Sequence, residues 1–591
     1  MLAIRNGVKK EFKKVKKPKS PDVRLTELMS DLRMKVGQLH SWEDTAKSVR
    51  MSMMEKRTLM DSHDRRQLQK CLDDLQRAIK VTSVQTMVER LESISRQLGL
   101  RFTAGSSGIE CFISTDTFYV EVTLDPGEGH AKDVRIAHRG EPSSCDELVQ
   151  ILRRGDFTAF TEHLQGLSAI YQISSDKHQK MKGYLALQSL EADLIMLAEL
   201  QNCSISDISD LIHKSPLGIL QPRIGGRALQ LVYLVSPYEL LDRDERTSIT
   251  LSVENVIQRK IGATLRVNIE PSESHKLQSR PLMSVAKTQD GKSLPSFDAL
   301  SNLNSIPLPA CFTLDLGCRV AIATCLVRKI QAITNVEFAE ISQSTSLVDL
   351  IVREHSHAAT DPGKGLHVSL PGGQQHCYYF ATPAAATVAD EEEGRGSHLS
   401  LRGIAVCRVP FTHPTHVPQI VATLRRQAMF SRVVASCVRN NARETEAGEA
   451  TMFEVTPMSL QCIIVTFQHP CEESIATVKF DLSDVPDIKC EVEVASGSEP
   501  LCDNEFVTKV MQRCWSIPIT MRSLIRRAAM TRPSSPPPPS PPDHSYSTET
   551  KPAEHSDSEF LFPRQYSDRN SNEVKFVNED NVNDADVMCD V

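Results

Sequence analysis

The chain has 591 residues, of which 40% are hydrophobic and 24% charged, and a formal net charge of −7. This length exceeds one simple core and points to roughly two to four domains of ordinary soluble composition. No run reaches the ~18–20 apolar residues of a membrane helix, and the basic start lacks the apolar centre of a signal peptide, so neither a membrane span nor secretion is expected.

Residues 1–21 read as a basic disordered tail. Lys13, Lys14, Lys16 and Lys17 form a cluster suited to nuclear import or to an electrostatic nucleic-acid contact. Apart from Phe12 no aromatic residue interleaves it, which argues against a dedicated single-strand surface.

Residues 22–100 read as a helical segment. Leu25, Leu28, Leu32, Val36 and Leu39 recur at steps of three and four. Leu68, Leu72, Leu75 and Ile79 make a second stripe, and Val84, Val88, Leu91, Ile94 and Leu98 a third, stopped by Gly99. Such stripes predict a helical core, with a partner groove as the other reading.

An α/β unit is expected over 101–205. Cys111–Ser114, Phe118–Leu124 and Val134–His138 read as strands, and the alternation of Phe118, Val120, Val122 and Leu124 marks one buried face. Helices are predicted at Cys145–Arg153, Phe157–Tyr171 and Lys180–Gln201. Residues 206–400 are mixed: short strands at Leu229–Val235, Ser248–Val253 and Thr264–Ile269, polar loops at Ser272–Ser296 and near Asp390–Gly394.

Residues 401–530 form a further α/β unit. A strand at Gly403–Phe411 leads into a helix at Val417–Val438. Strands follow at Met452–Val455, Cys462–Phe467, Ala476–Asp481 and Ile488–Val494, and a helix at Asp503–Trp515 closes the set. This order echoes residues 84–153, and Phe411-Thr412-His413-Pro414 echoes Phe467-Gln468-His469-Pro470. The fold class is therefore mixed α+β with a repeated α/β unit as a hypothesis. Residues 531–591 read as a Pro-rich and acidic disordered tail, because dense proline cannot join helices or sheets and too few apolar groups follow to offset ordering.

No GxxxxGK[ST], GxSxG or HExxH pattern occurs. Gly225-Gly226 and Pro371-Gly372-Gly373 read as turns. The pairs His355/His357 and His413/His416 lack a third ligand of a familiar metal motif, and adjacency of His376 and Cys377 says nothing of a dyad formed in space. The sixteen cysteines include no CxxC and lie mostly among apolar residues, as reduced buried thiols do. No catalytic, cofactor or metal residue is assigned.

Several segments carry a more specific signal. They include Lys80-Val81-Thr82-Ser83, Glu110-Cys111-Phe112-Ile113, Phe118-Tyr119-Val120-Glu121-Val122, Leu308-Pro309-Ala310-Cys311-Phe312, Gln374-Gln375-His376-Cys377-Tyr378 and Gln512-Arg513-Cys514-Trp515-Ser516-Ile517-Pro518. Together, from about residue 25 to 530, they resemble the N-terminal region of the Mediator subunit 1 family. The resemblance implies a nuclear, non-enzymatic coactivator subunit without cofactor. Its partners would be other subunits of the Mediator middle module, and it would link activators to RNA polymerase II. The family's long members carry LxxLL boxes that dock on nuclear receptors. Here none is found; the near misses are Leu347-Val348-Asp349-Leu350-Ile351, with Leu347, Leu350 and Ile351 as a weak receptor-box-like face, and Leu148-Val149-Gln150-Ile151-Leu152. The expectation is a short or paralogous member, or a truncated isoform, with receptor binding in doubt. A nucleic-acid-binding nuclear protein using the basic start is the alternative.

Overall fold

The computed structural model describes residues 25–31, 34, 42–55, 66–71, 74 and 81–530, with breaks at 128, 139, 175, 243–246, 288–292, 356–365, 370–374, 382–400, 439–449, 471 and 496–500. It divides into two compact units, residues 1–167 and 168–591. Both predicted tails lie outside the described residues.

The first unit begins with a helical segment at 25–31, then α1 (Trp42–Glu55), then a helical segment at 66–71. Helix α2 (Val84–Gln97) begins at a capping box: Thr86 N donates to Ser83 Oγ, and Ser83 N donates to Thr86 Oγ1. Leu91 and Ile94 of its stripe are buried, Val84, Val88 and Leu98 are half-buried, and Met87, outside the stripe, is buried beside them. The first stripe behaves differently: Leu25 and Leu28 face solvent.

The chain then runs as an antiparallel meander, β1 (Arg101–Ala104), β2 (Glu110–Ser114), β3 (Tyr119–Leu124), β4 (Ala131–Ala137) and β5 (Ser143–Ser144), paired in sequence order. Cys111, Ile113, Val120, Val122, Leu124 and Val134 point into its core. Gly129, in the β3–β4 turn at φ 71°, lies so near the start of α2 that a Cβ would stand 2.5 Å from Val84 N. Helices α3 (Asp146–Arg154) and α4 (Phe157–Ala169) end the unit, with α3 packed on β4 and α2 on β1.

The second unit opens with α5 (Lys177–Ser204), capped by Asp176, whose carboxylate accepts from His178 N and Gln179 N. After α6 (Ile208–His213) come β6 (Ile219–Gln221), β7 (Leu229–Leu234), the short pair β8 (Leu241–Asp242) and β9 (Thr247–Ser248), and α7 (Val253–Gln258). Of the strand expected at Ser248–Val253 only Ser248 lies in a strand, β9, and Val253 already belongs to α7. Ser252 accepts from Asn255 N and starts a helix instead.

Strands β10 (Ala263–Gln278) and β13 (Ser305–Ala323) form a long antiparallel pair with a bulge between Pro271 and His275, where proline supplies no ladder N–H. Between them β11 (Met283–Lys287) and β12 (Ser293–Phe297) make a separate hairpin. The loop expected at Ser272–Ser296 is therefore strand and hairpin. Its polar sequence hides the alternation because most residues of the ribbon are exposed on both faces.

Next come α8 (Thr324–Thr334), β14 (Thr345–Ser346), α9 (Leu347–His355), β15 (Leu366–Ser369), β16 (Gln375–Phe380), β17 (Arg402–Phe411) and α10 (His416–Ala435). The central sheet has the order β14-β17-β13-β10-β7-β6, with α5 and α10 among the helices packed on it. A second six-stranded sheet is built from β15, β16, β18 (Ala450–Ser459), β19 (Cys462–Gln468), β20 (Ile475–Asp481) and β21 (Lys489–Val494), in that order; β16 and β18 are parallel and the others antiparallel. Helix α11 (Asn504–Cys514) packs on β21 and on α12 (Ile517–Met530).

Both regions of the hypothetical repeat thus contain four consecutive strands in meander order, closed by a helix on the last long strand. The likeness ends at the leading helix: α2 lies on β1, whereas α10 lies on β7, β13, α8 and α9. The two His-Pro fragments are not equivalent either. One follows β17 in the central sheet and the other follows β19 in the C-terminal sheet.

Candidate functional site

The β11–β12 hairpin stands out because two strands alone are marginal in water. Its anchorage comes from α5. Asp193 is fully buried, and its carboxylate accepts from Gln278 Nε2 at 2.8 Å, Leu282 N at 3.0 Å and Met283 N at 2.9 Å. These donors form the corner where β10 turns into β11, so one side chain from a helix fixes the base of the arm. On the returning strand His413 Nε2 donates to the Asp298 carbonyl at 3.2 Å, Thr415 N donates to its Nδ1, and its ring meets Phe297 edge-on. Beyond this base the arm is exposed: Val285 is 43% and Leu294 51% accessible. The arrangement presents backbone edges and a few apolar side chains on a fixed support, which suits protein contact.

A second buried node joins α6, β7, α10 and the α11–α12 corner. Arg425 donates from Nε to the Tyr233 carbonyl at 2.9 Å and from Nη2 to the carbonyls of Ile212 and Ser215, each at 3.0 Å. Burial pushes its pKa down to about 10. His213 Nε2 lies 3.1 Å from the Val235 carbonyl, and its ring meets Trp515 edge-on. Burial holds His213 down, to about 4, so it is neutral at physiological pH. At the surface beside it Lys214 bridges Asp210 and Asp487 at 3.1 and 2.8 Å. Elsewhere Glu191 of α5 pairs with Arg223 at 2.7 Å, and burial is the first cause that raises its pKa. These polar groups face backbone and one another, as scaffold groups do, and none converges on an open cleft.

The residues singled out from sequence are distributed as follows. Lys13, Lys14, Lys16 and Lys17 lie outside the described residues. Leu347 and Ile351 are fully buried and Leu350 is half-buried. Helix α9 packs on β13, β17 and α10, and Leu347 sits over Gly403, where a Cβ would come within 2.6 Å of Leu347 Cδ1. This leucine face is therefore spent on the core instead of being offered to a receptor groove. Leu148, Val149 and Leu152 are buried likewise.

His413 uses both ring nitrogens internally, and His355 Nδ1 donates to the Ile351 carbonyl. His357 and Pro371-Gly372-Gly373 are outside the described residues. Gly225-Gly226 lies in a tight turn bridged by Ile224 and Arg227. His376 and Cys377 are successive strand residues and so point to opposite faces, with the His376 ring 4.8 Å from that of Phe453. Cys111, Cys437 and Cys490 are buried, which raises their thiols to about 11, 12 and 12. Sequence reading missed Asp193 and Arg425. The signal for the first was present: Glu191 and Asp193 place two charges, two residues apart, in a mostly apolar helical run.

The family model described as Mediator of RNA polymerase II transcription subunit 1 matches residues 69–439. The protein of that name from Xenopus laevis is 37% identical over 522 residues, covering 87% of this chain and 32% of the relative. The Drosophila melanogaster protein of that name is 35% identical over 519 residues, covering 86% and 34%. The chain thus spans about a third of the length of these relatives. The match takes in the meander, the Asp193-anchored arm and the central sheet, and the chain belongs to the Mediator of RNA polymerase II transcription subunit 1 family.

Proposed function

We propose that this protein is a non-catalytic nuclear subunit of the Mediator complex, a coactivator that links gene-specific regulators to RNA polymerase II. The observation that carries the reading is identity of 35–37% over nearly the whole globular part of the chain to proteins named as subunit 1 of that complex. The buried polar groups support it, because Asp193, Arg425 and His213 serve the scaffold and leave function to surfaces. Docking falls to the other subunits of the middle module, and the anchored arm at residues 283–297 is one surface for it. Lys13, Lys14, Lys16 and Lys17 act as the nuclear import signal. The segment Leu347–Ile351 serves the core in this reading and not a receptor groove, since Leu347 and Ile351 are fully buried.

The test is reciprocal purification from nuclear extract. Tagged chain should recover Mediator subunits in stoichiometric amounts, and an antibody to any middle-module subunit should recover the chain. Replacing the four lysines by glutamine should shift a fluorescent fusion toward the cytoplasm. Retention of wild-type nuclear accumulation would refute the import assignment.

A further inference from the structure

Helix α12 is fixed on one side and bare on the other. Ile517, Met521, Leu524 and Ala528 are buried, and Ile517 N donates to Ser436 Oγ at 3.1 Å. The Arg527 guanidinium lies 5.4 Å from the centre of the Phe506 ring of α11. The opposite side carries Ile519, Ser523, Arg526 and Met530 at steps of four, three and four, which is one helical face. Ile519 and Met530 are 37 and 74% exposed; Arg526 is exposed between them, and Arg522 is half-buried at the border. Arginine among apolar groups, on a rigid support without lysine, is the make-up of a protein contact.

Charge selects the partner. Helix α12 holds Arg522, Arg526 and Arg527 and no acid. Among the described residues neither Arg522 nor Arg526 takes part in a salt bridge. A guanidinium fork meets a carboxylate with two parallel N–H donors. A segment with carboxylates spaced to reach both arginines, and apolar side chains set between them, complements this face. Nucleic acid fits it worse. A duplex carries a charge about every 1.7 Å along its axis, and it cannot withhold these from Asp503 and Glu505, which stand just before Phe506 beside this helix. Phosphates would also leave Ile519 and Met530 uncovered. A lipid surface is poorly served too, because the two apolar groups sit about 16 Å apart along the axis and the helix has no Trp or Phe.

We propose that the outer face of α12 binds an acidic peptide segment of another protein, with Arg522 and Arg526 meeting its carboxylates and Ile519 and Met530 its apolar side chains. The face lies on other elements than the arm at residues 283–297. Its binding is read on the purified chain alone, so it stands or falls apart from the Mediator reading.

The experiment uses the full chain and a fluorescein-labelled synthetic peptide of about fifteen residues, long enough to span the face as a helix, in which Asp and Glu alternate with Leu and Phe. Anisotropy should show binding that weakens as salt is added. Arg522→Gln with Arg526→Gln should lose at least about tenfold in affinity, and Ile519→Ser with Met530→Ser a similar factor. Both double variants should keep the wild-type circular dichroism and melting profile, because the four side chains lie off the packed side. Benzoylphenylalanine in place of Ser523 in the otherwise unchanged chain should crosslink to the peptide on illumination. Undiminished affinity of either double variant would overturn the proposal. So would equal affinity for a peptide with Ser in place of Leu and Phe, or a crosslink from position 523 to this chain itself or to a second copy. Tighter binding of duplex DNA, RNA or phosphatidylserine vesicles at the same salt, lost with the same two arginines, would overturn it as well.

Discussion

Replacing Asp193 by alanine removes the acceptor for three buried donors: Gln278 Nε2, Leu282 N and Met283 N. A buried donor left without a partner costs about 1–3 kcal/mol, so the change costs about 3 kcal/mol at the lower limit. The penalty falls on the corner between β10 and β11, because all three donors lie there. The corner opens to let water reach them, and the β11–β12 arm loses its base. Hydrogen–deuterium exchange resolved by peptide should report this. About 3 kcal/mol corresponds to roughly a hundredfold faster exchange for residues 282–287 and 293–297. The α2–β4 region, in the other compact unit, should be unchanged. Asp193→Asn keeps one acceptor oxygen and should fall between wild type and alanine. Wild-type exchange rates across the arm in Asp193→Ala would refute the claim that this carboxylate holds it.

Other expectations follow from the same packing. His213 and His376 are both buried, and burial depresses each to about 4. A histidine depressed in the folded state contributes stability that is full above its unfolded value of about 6.5 and is lost as pH falls through 4. Unfolding free energies from urea titrations should therefore drop between pH 7.5 and 4.5, by about 2–3 kcal/mol for each histidine; a flat profile would contradict the burial. Arg425→Lys leaves an ammonium that cannot span the three carbonyls Arg425 reaches from Nε and Nη2, and should cost about 2–4 kcal/mol in chemical denaturation. Leu347→Ala and Ile351→Ala should each cost about 2–5 kcal/mol as cavities. Pull-down by a nuclear-receptor ligand-binding domain should not respond to either change at temperatures where the variants stay folded.

Much of the fold could be read from periodicity. The β2–β3 pair shows strict alternation because one face is buried and the other is not, and the stripe of α2 is clear because a single side packs. The hairpin at residues 283–297 escaped for the opposite reason: with both faces largely wet, Ser284, Lys287, Ser293 and Ser296 leave no period of two. Strand β17 looked like the start of the C-terminal unit, yet its partner in the sheet is β13, far back in the chain. Pairing between distant strands leaves no local trace. The stripe from Leu25 to Leu39 illustrates a further limit. Spacing identifies a helix with an apolar face, but whether that face meets its own core or a partner depends on packing elsewhere. The near-LxxLL segment at Leu347 poses the same ambiguity, and burial places it in the core over Gly403.

The central claim is membership of an assembly. Its most direct test is size-exclusion fractionation of nuclear extract containing the endogenously tagged full chain, followed by quantitative mass spectrometry of each fraction. The chain should elute at the mass of Mediator, with the other subunits in constant ratio across the peak. Elution as a free monomer of about its sequence mass of 65.8 kDa, with the remaining subunits in a separate peak, would contradict it.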